Sequence, residues 1–292
     1  MSEAIHDTLI LQSPAKLNLF LHIVGRRSDG YHLLQSAFQL IDWCDTITLK
    51  RISENEIRHA NPIPGVLPEH DLVVRAAALL KDFCQIRAGI EIHLKKEIPM
   101  GAGLGGGSSD AATTLIGLNK LWGLDLDTNT LCKLGLQLGA DVPFFIFGKN
   151  AWVEGIGEKI QEIALPANHY LVLTPKIHVS TGQIFNAKEL TRNTFPTTIA
   201  AFPEMQDFLH NDLEVVVCQQ YPAVKACLDW LSQYSKARMS GSGASVFIAQ
   251  KTEIEVNNIL RTMPKKIANT ELFCASTLGL NQHPLYNLTS EQ

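Results

Sequence analysis

The chain has 292 residues, about twice the usual size of one domain, so one large domain or two lobes around a cleft are the expected organisations. Its composition, 46% hydrophobic and 18% charged, supplies enough apolar material for a large core and excludes a mostly disordered polymer. Lys and Arg number 25 against 29 Asp and Glu, a formal charge of -4 that excludes the global positive field by which proteins recruit nucleic acid or anionic lipid, so an anionic ligand must be held by local groups.

The segment Met1 to Asp7 is acidic and lacks the basic and apolar regions of a signal peptide. No stretch approaches the roughly 18 uninterrupted apolar residues of a membrane span. Six scattered cysteines form no CxxC pair and no zinc-spaced cluster. The expectation is a cytoplasmic protein with reduced thiols, no membrane and no nucleic acid as partner.

Residues 9–24, LILQSPAKLNLFLHIV, read as a strand. After Pro14 the alternation puts Leu17, Leu19, Leu21 and Ile23 on one face and Lys16, Asn18, Phe20 and His22 on the other. Gly25 to Gly30 is a turn, and Ser36 to Lys50 and Glu56 to His59 are strand-like. Asp71 is placed to cap a helix over Leu72 to Phe83, and a strand follows near Ile90 to Lys95. Helices are predicted over Ser108 to Trp122 and Asp125 to Gly139, with extended segments at Trp152 to Gly155 and Tyr170 to Leu173. The neighbourhood of Pro166 to Asn168 is the expected lobe boundary, dividing the chain into 1–165 and 166–292. Beyond it, helices are expected near Phe185 to Leu190, Ala201 to Leu209, Leu213 to Gln220, Ala223 to Ser232 and Ile254 to Thr262, with strands near 244–249 and 270–276. Strands and helices mix without a steady βαβ rhythm, which predicts an α+β fold.

The richest segment is Pro99-Met100-Gly101-Ala102-Gly103-Leu104-Gly105-Gly106-Gly107-Ser108-Ser109-Asp110. Five glycines in seven residues permit positive φ and expose successive backbone N–H groups, and the helix that follows attracts anions at its N-terminus. That combination describes a phosphate cradle, against which stands a flexible loop ending in a serine cap. A Walker A loop requires Lys after its last glycine, and Gly107 is followed by Ser108. The string Gly101-x-Gly103-x-x-Gly106 matches the dinucleotide fingerprint, but the nearest downstream acids, Asp125 and Asp127, start a helix instead of ending a strand.

This loop resembles the second motif of the GHMP kinases, the family of galactokinase, homoserine kinase, mevalonate kinase and phosphomevalonate kinase. Pro14-Ala15-Lys16-Leu17-Asn18-Leu19 with Gly25-Arg26-Arg27-Ser28-Asp29-Gly30-Tyr31-His32 resembles an N-terminal signature of the same family. Met239-Ser240-Gly241-Ser242-Gly243-Ala244-Ser245 resembles its third motif, and Gly139-Ala140-Asp141-Val142-Pro143-Phe144-Phe145 stands where the family has its catalytic aspartate. The likeness runs over about residues 13–280, with four motifs in order, and the long GLGGGSSDAA form points to the branch that acts on a cytidine diphosphate compound of non-mevalonate isoprenoid biosynthesis. The resemblance implies a two-lobed α+β fold with the active site in the cleft, ATP as phosphoryl donor, Mg²⁺ as its companion, and a small-molecule cytidine diphosphate substrate. Homoserine- or mevalonate-type kinases, and a non-catalytic ligand-binding relative, are the alternatives.

Phosphoryl transfer requires in-line placement, charge neutralisation and a group to take the acceptor's proton. Lys16 and Asp141 suit these tasks, although Lys16 alone also reads as a strand-edge charge and Asp141 as a turn or cap aspartate that its apolar surroundings would largely enclose. By resemblance, Lys16 polarises the acceptor hydroxyl and Asp141 is the base. Pro99 to Ser109 would hold ATP, Ser108 and Ser109 acting on phosphate or Mg²⁺ or as caps; the metal's other ligands are unassigned. Lys96 is a nucleotide contact or a solvated lysine. Asp110, in the first turn of its helix, would complement the dipole. Asp71 stands where many members carry Asn, replacing an amide that donates and accepts with a carboxylate that only accepts. Asn18, Tyr31, His32, Thr181 and Phe185 are the expected substrate contacts, Tyr31, His32 and Phe185 around the cytosine, and Gly241, Ser242 and Gly243 form the third-motif loop.

Overall fold

A computed structural model of the chain describes residues 7–205 and 208–290. The reading of the N-terminal segment as lacking a leader falls on residues of which all but Asp7 lie outside these. Two long strands, β1 (Thr8–Arg26) and β2 (His32–Ile52), form a hairpin that carries the first sheet. The chain continues through β3 (Ile57–His59), α1 (Leu72–Phe83), β4 (Gly89–Lys95), α2 (Gly106–Trp122), α3 (Thr128–Leu136), α4 (Val142–Phe147), β5 (Ala151–Gly155) and β6 (Lys159–Glu162). The first sheet runs β3-β4-β2-β5-β6 with β1 also paired to β2. The second half comprises β7 (His169–Pro175), α5 (Thr181–Asn186), α6 (Phe202–Met205), α7 (Asp212–Gln220), α8 (Pro222–Leu231), β8 (Arg238–Met239), β9 (Val246–Gln250), α9 (Glu253–Thr262), β10 (Lys266–Ile267), β11 (Thr270–Leu278) and α10 (Tyr286–Ser290). Its sheet runs β10-β11-β7-β9-β8. Two lobes, each a sheet with helices, give the α+β architecture.

Each lobe has its own core. In the first, Ile47, Leu49, Ile90 and Ile92 of the sheet meet Ala76 and Leu80 of α1 and Ala111, Leu115 and Leu118 of α2. In the second, Leu171, Leu173 and Val246 meet Val216, Val224 and Val256. A third cluster lies between them and draws Ala15, Leu17 and Ile41 from one lobe and Tyr170, Val172 and Phe247 from the other. Ala102 and Leu104, the apolar residues between the glycines, are buried in that cluster, so the loop is nailed to the junction of the lobes.

Several elements differ from their sequence expectation for identifiable reasons. The face alternation of β1 is broken by a register shift between Asn18 and Leu21, which lets Lys16 and Asn18 face a cleft while Leu21 and Ile23 join the second lobe's core. The helix expected from Asp125 starts at Thr128, because Asp125 has positive φ and it is Asp127 that caps, accepting from Thr130 N at 2.7 Å. The helix expected over 185–190 lies over Thr181–Asn186 instead; the carbonyls of Phe185, Ala187 and Leu190 are taken by the Arg192 guanidinium. Of the helix expected over 201–209, α6 covers Phe202–Met205, and residues 206 and 207 lie outside the description.

Candidate active site

Two cavities flank the glycine loop. One, of about 320 Å³, is lined by Asp71, by Leu72 at the start of α1, by Lys96 and by Pro99 to Gly103, Gly105 to Ser108 and Asp110. The other, of about 840 Å³, is lined from the first lobe by Lys16, Asn18, Tyr31, His32 and Asp141 and from the second by Thr181, Phe185, Gly241 and Ser242. Gly101, Gly103, Gly105 and Ser108 belong to both walls. The loop is therefore a partition whose backbone faces two chambers.

Its glycines are required by contact as well as by conformation. Gly103 has φ +74, and a Cβ there would lie 2.1 Å from the Ser240 carbonyl oxygen, so no side chain fits between the second- and third-motif loops. Gly105, φ +72, caps α2 and sits against the Phe145 ring and the Lys16 stem. The helix thus begins at Gly106 with a glycine cap rather than a serine one, and its N-terminal dipole points at the partition. Of the expected loop contacts, Leu104 turns its side chain into the core, and Ser109 is fully buried with its hydroxyl accepting from Ser13 at 2.9 Å; Ser108 is the serine that reaches the cavities.

Lys16 is almost fully buried, at 3% exposure, on the cleft-facing side of β1. Its ammonium donates to Asn18 Oδ1, lies 4.4 Å from the Phe38 ring centroid and stands 3.4 Å from Asp141 Oδ2. Lys16 lines the cleft and is not a strand-edge charge reaching solvent. Asp141 occupies the cap position of α4 but makes no side-chain cap bond, and it is 31% exposed to the cleft, less enclosed than its apolar neighbours suggest. Besides Lys16, two serines hold Asn18: its amide donates to Ser36 Oγ at 3.0 Å, Ser36 itself donating to the Phe20 carbonyl, and Ser240 Oγ accepts from the Asn18 backbone N–H at 3.1 Å. Ser240 in turn donates to the Gly103 carbonyl at 2.8 Å, tying the third motif to both the second motif and β1.

Lys96 is neither solvated nor free. It is clamped between Asp45 and Asp110, the latter at 2.7 Å. Burial works against its charge, but Asp110 and Asp45 outweigh it and hold the pKa above the ordinary lysine range. Asp110 lies beyond the first turn of α2, so the Lys96 pair replaces the expected dipole interaction; burial pushes its carboxyl up, opposed by Lys96 and reinforced by Asp45. Asp45 was invisible as a site residue because it lies 51 positions from Lys96 with no local motif. Asp71 caps α1 through Oδ1, which accepts from Val73 N at 3.0 Å, while Oδ2 lies 3.1 Å from His59 Nδ1. Both of its oxygens are engaged.

At the far end of the larger cavity, the turn before Tyr31 is set by Arg27 N–H donating to the Tyr31 carbonyl at 2.7 Å and Tyr31 N–H to Asp29 Oδ1 at 3.2 Å. Tyr31 is 62% exposed, and the His32 ring lies 5.2 Å from that of Phe185 at 37°. Thr181 and Ser242 share a 2.8 Å hydrogen bond that joins the start of α5 to the third-motif loop. Gly243 packs against Met239.

Residues 71–149 match the GHMP kinases N terminal domain and residues 187–269 the GHMP kinases C terminal domain. A 4-diphosphocytidyl-2-C-methyl-D-erythritol kinase of Polynucleobacter necessarius subsp. necessarius is 60% identical over 97% of this chain and 97% of its own length. The chain belongs to the 4-diphosphocytidyl-2-C-methyl-D-erythritol kinase family of GHMP kinases. The kinase of the same name from Paraburkholderia phytofirmans is 48% identical over 99% of both chains. A crystal structure of a 4-(cytidine 5'-diphospho)-2C-methyl-D-erythritol kinase superposes with TM-score 0.79 at 30% identity, covering 93% of this chain and all of that one. Homoserine kinase from Cytophaga hutchinsonii, at 17% identity and TM-score 0.65, shares the fold. The chain is an ATP-dependent small-molecule kinase of two-lobed GHMP architecture. Among the described residues no helix is long and apolar enough to cross a membrane.

Proposed function

We propose that this kinase transfers the γ-phosphoryl group of ATP to the 2-hydroxyl of 4-diphosphocytidyl-2-C-methyl-D-erythritol, giving the 2-phosphate and ADP, in the cytoplasm and in the non-mevalonate route to isoprenoids. One observation carries the reading: the glycine partition separates a nucleotide-sized chamber from a larger one that holds the Lys16–Asp141 pair at one end and Tyr31, His32 and Phe185 at the other. A donor whose phosphates lie on the partition presents its terminal phosphorus to an acceptor in the second chamber, which is the placement in-line transfer demands.

In this reading residues 1–165 form the donor-binding domain and 166–292 supply the opposite wall of the cleft. Asp141 accepts the proton of the attacking hydroxyl, since its carboxylate is not spent on capping α4. Lys16, held by Asn18 and Phe38, directs its charge at the hydroxyl and the transferring oxygens. Backbone N–H groups at the start of α2 bind the donor's phosphates, and Lys96 fixes the wall beside them. No cluster of three His, Cys, Asp or Glu of metal-binding geometry exists among the described residues. Magnesium in such sites relies on phosphate and water oxygens with one or two protein ligands, and the Ser108 hydroxyl, which reaches both chambers, fits that donor set. When bound, Mg²⁺ neutralises charge on the donor's β- and γ-phosphates.

The test is ADP release with Mg²⁺-ATP and the cytidine compound, followed by phosphorus NMR, with homoserine and mevalonate as parallel acceptors. A new phosphomonoester on the cytidine compound alone is expected. Turnover on another acceptor alone would retain the kinase and remove the aromatic end of the cavity from substrate recognition.

A further inference from the structure

Arg192 lines neither chamber, yet its guanidinium is bonded to two residues of the larger one, His32 and Phe185, and to the segment that follows Phe185. Nε donates to His32 Nε2 at 3.1 Å, Nη1 to the Leu190 carbonyl at 3.0 Å, and Nη2 to the carbonyls of Phe185 at 3.1 Å and Ala187 at 2.7 Å. One side chain thereby fixes the backbone that carries Phe185 and the ring that lies against it. A guanidinium offers donors only and stays protonated, so the imidazole nitrogen facing it must be an acceptor. A neutral imidazole has one acceptor and one donor nitrogen; with Nε2 accepting, the proton sits on Nδ1. Burial, then Arg192, then Arg26 hold His32 below the ordinary histidine pKa, which favours that neutral ring. Among the described residues Nδ1 has no hydrogen-bond partner.

We propose that Arg192 is a positioning residue for base recognition: it locks His32 as the Nδ1–H tautomer, so that the ring presents a single N–H donor to an acceptor on the substrate's pyrimidine. The inference rests on the cytidine reading above. Cytosine places two acceptors, O2 and N3, side by side, and a donor suits that edge. The opposite tautomer, which histidine prefers in water, would set a lone pair against it.

The experiment is long-range proton–nitrogen NMR of the ¹⁵N-histidine-labelled enzyme and its Arg192→Met variant, with steady-state kinetics on both. The wild type is expected to show a protonated Nδ1 and an unprotonated Nε2 at His32, and the variant a shift toward Nε2–H. KM for the cytidine substrate should rise about 10-fold, the worth of one lost hydrogen bond, while KM for ATP stays within about twofold. A protonated Nε2 in the wild type, or an unchanged cytidine KM after the tautomer has shifted, would overturn the proposal. The tautomer is read without substrate, so an enzyme with the expected tautomer but no turnover on the cytidine compound would fail on the substrate assignment and not on the Arg192–His32 bond. Should Arg192→Met not fold, His32→Asn and His32→Gln carry the same test. Asn places an N–H where Nδ1 stands and should retain a lower cytidine KM than Gln, whose amide reaches the Nε2 position; the reverse order would overturn the assignment.

Discussion

At the residue scale, the proposed phosphoryl transfer rests on the pair of Lys16 and Asp141, 3.4 Å apart. Asp141→Asn keeps the shape of the side chain and removes its ability to take a proton, so kcat should fall by at least about 10²-fold. ATP affinity, measured by calorimetry, should survive, because Asp141 lines only the larger chamber. Near-normal turnover in the variant would remove Asp141 from the base role. The residue types of the pair were legible in the sequence, a lysine in an apolar strand and an aspartate before an apolar run, but not their 3.4 Å separation across 125 positions. Phe38 and Ser36, which fix the ammonium and the Asn18 amide, carry no signal of their own. A phenylalanine or serine in a strand reads as packing or pleat, and its role arises only when tertiary contacts bring a charge beside it.

At the scale of elements, the glycine loop was the most legible feature, since positive φ and exposed N–H groups are local properties that glycine spacing encodes directly. What the spacing does not encode is the second loop pressed against it. Gly103→Ala should show the difference. An L-residue in the left-handed region costs about 1–2 kcal/mol by itself, and the added methyl must also displace the Ser240 carbonyl 2.1 Å away. Gly65→Ala is the comparison: it has φ +81 but nothing within 4 Å of a new Cβ, so it bears the strain alone. Denaturant unfolding should place Gly103→Ala well below Gly65→Ala in stability, and Gly103→Ala alone should raise KM for ATP. Equal losses would mean that the third motif yields freely and does not brace the phosphate loop. The span of α5 was lost for a related reason: it ends at Asn186 because Arg192 claims the next carbonyls, a competition no propensity scale contains.

On the scale of the whole molecule, the chain's end returns to its beginning. After β11 leaves the second lobe, Leu280 N–H donates to the Leu40 carbonyl at 2.8 Å, and the Leu280 carbonyl accepts from Gln39 and Asn150, each at 2.8 Å. His283 anchors this segment, its backbone N–H donating to Gly148 at 2.7 Å and its Nδ1 accepting from Leu285 N at 3.0 Å. Burial lowers its pKa from the ordinary 6.5 to about 3. Between those values the unfolded chain holds a proton that the folded one refuses, so this histidine's contribution to stability is complete above 6.5 and is lost as pH falls toward 3, by about 1.4 kcal/mol per pH unit. His283→Asn places an amide oxygen where Nδ1 accepts from Leu285 and removes the titration. Its denaturation midpoint should therefore fall less steeply than the wild type's as pH drops from 6.5 to 4.5, with the two closest to each other in slope above pH 7. An unchanged acid slope would assign the sensitivity elsewhere, first to His22, another buried imidazole whose pKa burial lowers. Because the segment that His283 secures joins the end of the second lobe to the first lobe's sheet, losing it in acid loosens the union of lobes on which the larger chamber, walled by both, depends.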